Sequence, residues 1–271
     1  MNTKIAVHAH KLKDRAFHNW HTEVSGRWKI TDLRADEGYC NDWISVDSLA
    51  WDKQKKLLYV GLNCINTDIF YTFDPVSNAF RSLGFPRVSD KFDVKLHRSI
   101  ELDGDGTLYL ATALLHDLDE QHEAKGGKVF SYDPAAEQYT FLGVPIPSNY
   151  IQSIVLDPVN RLLYGFTYPS EQLFCFDLNT GECKSLAYVG NGVMISQPHC
   201  GVIDRNNCLW GTWGETRAYE YAPGPVPIRI FRYDPSSKQF TWFQHGFGKT
   251  SASDPARVDH MMLGADGLIY A

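Results

Sequence analysis

A four-part phrase recurs along this chain about every fifty residues. The first copy runs through Ser48 to Asp52, Leu58 to Val60, Ile69 to Pro75 and Phe80 to Leu83. The second covers Ser99 to Asp103, Leu108 to Leu110, Lys128 to Pro134 and Tyr139 to Leu142. The third is Ser153 to Asp157, Leu163 with Tyr164, Leu173 to Asp177 and Cys183 to Leu186. The fourth is Cys200 to Asp204, Leu209 with Trp210, Ile228 to Pro235 and Phe240 to Phe243, and a fifth opens at His260. Every part is short, rich in aromatic and β-branched residues, and bounded by Asp, Gly, Asn or Pro, as strands are. Such a unit cannot bury both of its faces alone, so copies must stack side by side. That predicts an all-β fold, a β-propeller of four-stranded antiparallel blades. No stretch keeps helical spacing long enough to argue for a core helix.

Blade number has two readings. Residues 1–44 hold Ile5 to His10 and Arg27 to Leu33, which could serve as the third and fourth strands of a partial blade. Joined to the two strands after His260, they would close a five-bladed ring. The other reading is part of a larger propeller, for example a seven-bladed one. Either way residues 1–271 read as one domain, and 44% hydrophobic with 13% aromatic content suffices for its core.

The net charge of −6 argues against a nucleic-acid partner, which calls for a basic stripe. No apolar run reaches membrane-spanning length. The first residues lack a signal-peptide apolar core, which leaves a cytoplasmic protein or a secreted or periplasmic one whose leader has been removed. The six cysteines include no Cys-x-x-Cys pair and read as buried free thiols. A monomer is expected.

In a blade the first strand lines the central channel, so the loops leading into first strands share a face with those joining second strands to third. The latter are long here, 113–127 and 214–227, while the turns on the other face are minimal; length beyond need hints at function. That face collects His97 and Arg98 before one first strand and His116 after its second strand. Tyr168 follows the second strand of the next blade and Arg217 that of the blade after. His199 and His260 stand before two further first strands. The catalytic candidates are His97, His116 and Tyr168. Substrate-binding candidates are Arg98, Arg217, Tyr150 and Trp213, although Trp213, like Trp210, could serve blade packing.

Histidine, tyrosine and arginine together suit β-elimination from a uronic-acid-containing polysaccharide. A cation neutralises the carboxylate and makes the neighbouring proton acidic. A His or Tyr removes that proton, and a second group protonates the leaving oxygen. Glycoside hydrolysis would require two facing carboxylates, and no clear pair emerges.

From about residue 45 onward the chain resembles the propeller polysaccharide lyases, including those acting on ulvan and at rhamnosyl-glucuronate linkages. The likeness rests on the blade phrase and on His97 followed by His116. It implies an acidic polysaccharide substrate, Tyr168 and Arg217 completing the site, and a metal ion, often zinc, for which His199 and His260 are the ligands to try. No organic cofactor is expected. A more distant likeness, over Gln197 to Trp210, is to virginiamycin B lyase. The alternatives are a non-enzymatic binding propeller and a propeller lactonase or hydrolase.

Overall fold

The computed structural model describes residues 29–42, 44–65, 68–190, 200–214, 228–246 and 258–271. Four complete blades stand among them. Blade one contains β1 (Ile44–Asp52), β2 (Leu57–Cys64), β3 (Phe70–Asp74) and β4 (Ala79–Ser82). After β5 (Asp93–Lys95), blade two contains β6 (Ile100–Leu102), β7 (Leu108–Ala111), β9 (Val129–Asp133) and β10 (Gln138–Gly143), with β8 (Ala113–Leu114) between β7 and β9. Blade three is β11 (Tyr150–Asp157), β12 (Leu162–Tyr168), β13 (Gln172–Asp177) and β14 (Cys183–Tyr188). Blade four is β15 (Val202–Ile203), β16 (Leu209–Trp213), β17 (Arg229–Asp234) and β18 (Gln239–Gly246). The hairpin of β19 (Met262–Leu263) and β20 (Ile269–Tyr270) begins a fifth.

Within each complete blade neighbouring strands pair antiparallel in chain order. Blade one is wider than the repeat predicts. β5 adds to β2 through Asn63 opposite Lys95, and β8 pairs with β5, so the loops of blade two reach back onto blade one.

Aspartates set the turns. Asp74, Asp133, Asp177 and Asp234 end the third strands, and each carboxylate accepts the N–H two residues on, at 2.8–2.9 Å. The side chain thus mimics a backbone turn. The residue before each fourth strand in blades one, two and four then takes a left-handed backbone, with φ of 55° at Asn78, 52° at Glu137 and 56° at Lys238. First-strand aspartates work alike: Asp52 and Asp157 each accept two N–H groups of the following turn.

The core lies between blades. Phe70, Leu108, Phe130 and Tyr132 fill the first interface, and Ala111, Val129, Leu163 and Phe174 the second. Tyr164, Phe166, Leu209 and Phe231 fill the third. A large apolar or aromatic side chain presented by one blade meets its counterpart on the next, so burial comes from stacking rather than from any blade alone. The six cysteines are thiols, none of them in a disulfide, with Cys40, Cys64, Cys200 and Cys208 buried and Cys175 and Cys183 half-buried.

One expectation needs correction. Arg27 to Leu33 reads as a strand, yet Ile30–Ala35 is a short helix, α1, followed by α2 (Glu37–Asp42). Its first turn is capped from far along the chain. Asp117 accepts from the Ile30 N–H at 2.7 Å and from the Thr31 hydroxyl at 3.0 Å. Ile30 and Leu33, three apart and both buried, seat the helix, and Arg34 donates to the Leu115 carbonyl. These residues therefore dock on the blade-two loop rather than completing the fifth blade; residues 1–28 lie outside the described residues.

Candidate functional site

The staves of the channel are the aligned first strands, and the residue before each aligned Ser48, Ser99 and Ser153 carries the mouth. These are Asp47, Arg98 and Gln152; Asp259 takes the place before His260. Pairing of β1 with β2 shifts between Val46 and Ser48, and pairing of β11 with β12 shifts between Ile151 and Ser153. Asp47 and Gln152 are the extra residues of these bulges, which free their backbones to bond between blades. Asp47 accepts the Arg98 N–H and Arg98 accepts the Ile154 N–H, each at 3.3 Å. Arg98 itself is left-handed, with φ of 47°, a conformation that costs a side-chain-bearing residue about 1 kcal/mol or more.

His97 is tied to the next blade. Its Nδ1 lies 2.7 Å from the Gln152 carbonyl, so Nδ1–H donates and Nε2 is the nitrogen that can take up a proton. Burial, helped by the nearby charges of Lys95 and Arg98, holds this imidazole below its usual range, and it is neutral at neutral pH.

His116 is held by its own loop, with Nδ1 2.7 Å from the Asp117 carbonyl. Phe92 stands edge-on to it at 6.0 Å. Tyr150 packs on the small cluster of Phe92, Leu114 and Ala124, and Tyr168 tilts across Tyr150 at 4.9 Å. His116, Tyr150 and Tyr168 therefore belong to one aromatic group on the rim, and Tyr150 sits two residues from the carbonyl that holds His97. Burial pushes both phenols up, with the neighbouring ring adding to the shift at Tyr150 and Glu171 at Tyr168. Each keeps its proton at neutral pH.

Trp213 is elsewhere. It is buried in the third inter-blade core, its Nε1–H donates to the Ile230 carbonyl at 3.1 Å, and the Arg229 guanidinium covers its ring at 4.8 Å. Blade packing accounts for it. Arg217 and His199 lie outside the described residues. His260 is exposed at the channel mouth, and among the described residues no three His, Cys, Asp or Glu side chains gather as a metal requires. His199, one of the two ligands the lyase resemblance implies, is not among those residues.

A cavity of about 670 Å³ lies among the first strands, a size that holds a small organic ligand. Arg98, Glu101, Asp47, Asp259 and His260 line it together with aliphatic residues. His97, His116, Tyr150 and Tyr168 do not. Glu101 is the residue the sequence reading missed. It keeps part of its surface open to the cavity, yet it sits deep among protein atoms, and burial pushes its carboxyl up to about 8. The signal was present: two residues after the aligned Ser or Cys stand Ala50, Val155 and Val202 in the other complete blades, and Glu101 in this one.

No protein-family model and no curated protein sequence matches this chain. Solved structures do. The extracellular domain of the putative one component system BT4673 from B. thetaiotaomicron superposes with a TM-score of 0.53 at 16% identity. The match covers 83% of this chain and 25% of that one, so this chain spans about a quarter of that protein's length. TolB from Acinetobacter baumannii matches with a TM-score of 0.45 at 13% identity, over 74% of this chain and 43% of that one. This chain has a propeller-type fold. Likeness at such identities speaks for the fold alone.

Proposed function

We propose that this propeller is a polysaccharide lyase acting on a uronic-acid-containing chain by β-elimination. The observation that carries the reading is His97, held neutral by burial and oriented by the Gln152 carbonyl, directly beside Arg98 at the channel mouth. Arg98 neutralises the uronate carboxylate. His97 Nε2 takes the proton from the adjacent carbon, the freed electron pair forms the ring double bond, and the bond to the glycosidic oxygen breaks. Tyr168, whose phenol keeps its proton, supplies it to that oxygen, with His116 on the same rim. Because burial keeps His97 unprotonated at neutral pH, it can accept a proton without first losing one. The likeness of residues from about 45 onward to the propeller lyases supports the same assignment. No step uses a metal.

The test is absorbance of the unsaturated uronate product against ulvan, gum arabic, glucuronan, pectate and alginate. One substrate should respond, and His97→Ala or His116→Ala should each lower its rate by roughly 10²–10⁴-fold in a folded protein. Retained activity in both variants sinks the assignment of the site.

A second reading is a non-enzymatic ligand-binding propeller. The observation in its favour is the axial cavity, which is of ligand size and is lined by neither His97 nor Tyr168. Silence across the whole panel would favour it.

A further inference from the structure

We propose that the axial cavity binds a small organic ammonium, with Glu101 as its counter-charge and the aliphatic walls around its body. This goes beyond the elimination reading and does not depend on it.

The argument starts from the repeat. At one slot of the first strand, three complete blades carry Ala50, Val155 and Val202, and the second carries Glu101. A carboxyl there is costly, because ionising it away from water requires a partner. Among the described residues no group bonds the Glu101 carboxyl, and burial pushes it up. The Tyr109 hydroxyl, opposite it on β7, accepts from the Arg161 guanidinium at 2.8 Å. On the β1 side, Asp47 faces Lys95 at 3.8 Å rather than Glu101. Towards blades three and four the lining offers Ser153, Ile154, Gly201 and the Cys200 thiol, which burial holds at about 12 and so uncharged.

Charge then decides the sign of the ligand. Among the described residues Arg98 is the one guanidinium in the lining, and its Nη2 is 3.5 Å from Asp259. Three carboxyls line the cavity with it, and His260 is exposed at the mouth. A ligand that brings positive charge completes the site; one that brings negative charge meets a carboxyl without a partner. Wall chemistry decides the rest. Leu49, Ile100, Leu102 and Ile154 cannot replace the six or more oxygens a hard metal ion takes, whereas they suit an alkyl body.

The empty site keeps Glu101 protonated at neutral pH, and an ammonium displaces that proton into solvent. Affinity should therefore rise about tenfold per pH unit below about 8, and level off above it. Isothermal titration of the whole chain with n-butylammonium at pH 6, 7 and 9 reads this directly. At pH 7, titrations in two buffers of different ionisation heat should show close to one proton released per ligand. Glu101→Gln should lose at least tenfold in affinity and all proton release, with thermal unfolding showing that it folds. Sodium butyrate should not bind. Butyrate binding in place of the amine, amine binding unchanged in Glu101→Gln, or no binding of propyl- to hexylammonium at millimolar concentration would each overturn the proposal. These outcomes leave the uronate assay untouched, so the two readings fail separately.

Discussion

Two neighbouring staves of the channel, β6 and β11, occupy equivalent places and are built differently. β11 runs for eight residues, and from Ser153 to Asp157 every one is buried. β6 runs for three, is preceded by the left-handed Arg98, and places Glu101 where its neighbour has Val155. One strand is spent on packing. The other interrupts packing with a charge at the mouth and a carboxyl within. In a repeat architecture each blade can solve the burial problem the same way, so departure at a single slot marks a demand other than stability. His97 and Arg98, which the sequence places at the site, and Glu101, which it does not, all belong to the second stave or to its lead-in.

The contrast can be broken first on its packed side. Phe174 on β13 is fully buried in the interface between blades two and three, and Gly165 on β12 leaves room for its ring. Phe174→Ala removes the ring and leaves a cavity, and should cost about 3–5 kcal/mol by chemical denaturation. A loss near 1 kcal/mol would mean that the blades slide together to fill the gap, and that the stacking interface is softer than its burial implies.

The polar side gives the next effect, with the opposite sign. Glu101 has a raised carboxyl, so folding costs nothing extra where both states hold the proton, below the ordinary glutamate range near 4.3. As pH rises, the unfolded chain ionises first. The folded protein then loses stability at up to roughly 1.4 kcal/mol per pH unit until about 8, and no further above it. Glu101→Gln removes that slope and should be the more stable protein at pH 7. Contact with cavity solvent lowers the gain to roughly 2 kcal/mol. Parallel stability curves for the two proteins between pH 5 and 8 would show that the carboxyl ionises freely, and β6 would lose its distinction from β11.

How much of this was legible follows from where each signal lies in the chain. The blades were readable because the strand pattern and its turn are local: Asp74, Asp133, Asp177 and Asp234 each bond the N–H two residues on. The rim residues were readable once the blades were aligned, since position within a repeat fixes the face. Helix α1 was not, because six residues are too few to show helical periodicity and its cap, Asp117, is 87 residues away. Trp213 was ambiguous because an aromatic at the end of a second strand can face a core or a ligand, and only the Arg229 and Ile230 contacts decide. Glu101 was hidden by chemistry that looks ordinary along the chain. It stands out only when the same slot is read across the blades.

The smallest expected effect tests the outermost stave. β1 matches β11 in length class and pairing, with a bulge at the equivalent place, but Val46, Leu49 and Trp51 are 43%, 58% and 45% exposed. β11 has β6 on one side and β15 on the other, whereas β1 packs Ile44 and Ala50 on the core and leaves Val46, Leu49 and Trp51 exposed. A side chain already exposed in the folded state gains little by folding, so Trp51→Ser should shift stability by no more than about 0.5 kcal/mol. The comparison with Phe174→Ala is then a ratio of roughly 6 or more between two aromatic truncations in one sheet architecture. Should Trp51→Ser cost as much as Phe174→Ala, the face of β1 is covered in solution, and the exposed stave is an interface like the other three. A small loss leaves the contrast intact: β11 is held by neighbouring staves on both sides, and β1 by β6 on one side and by the ladder to β2.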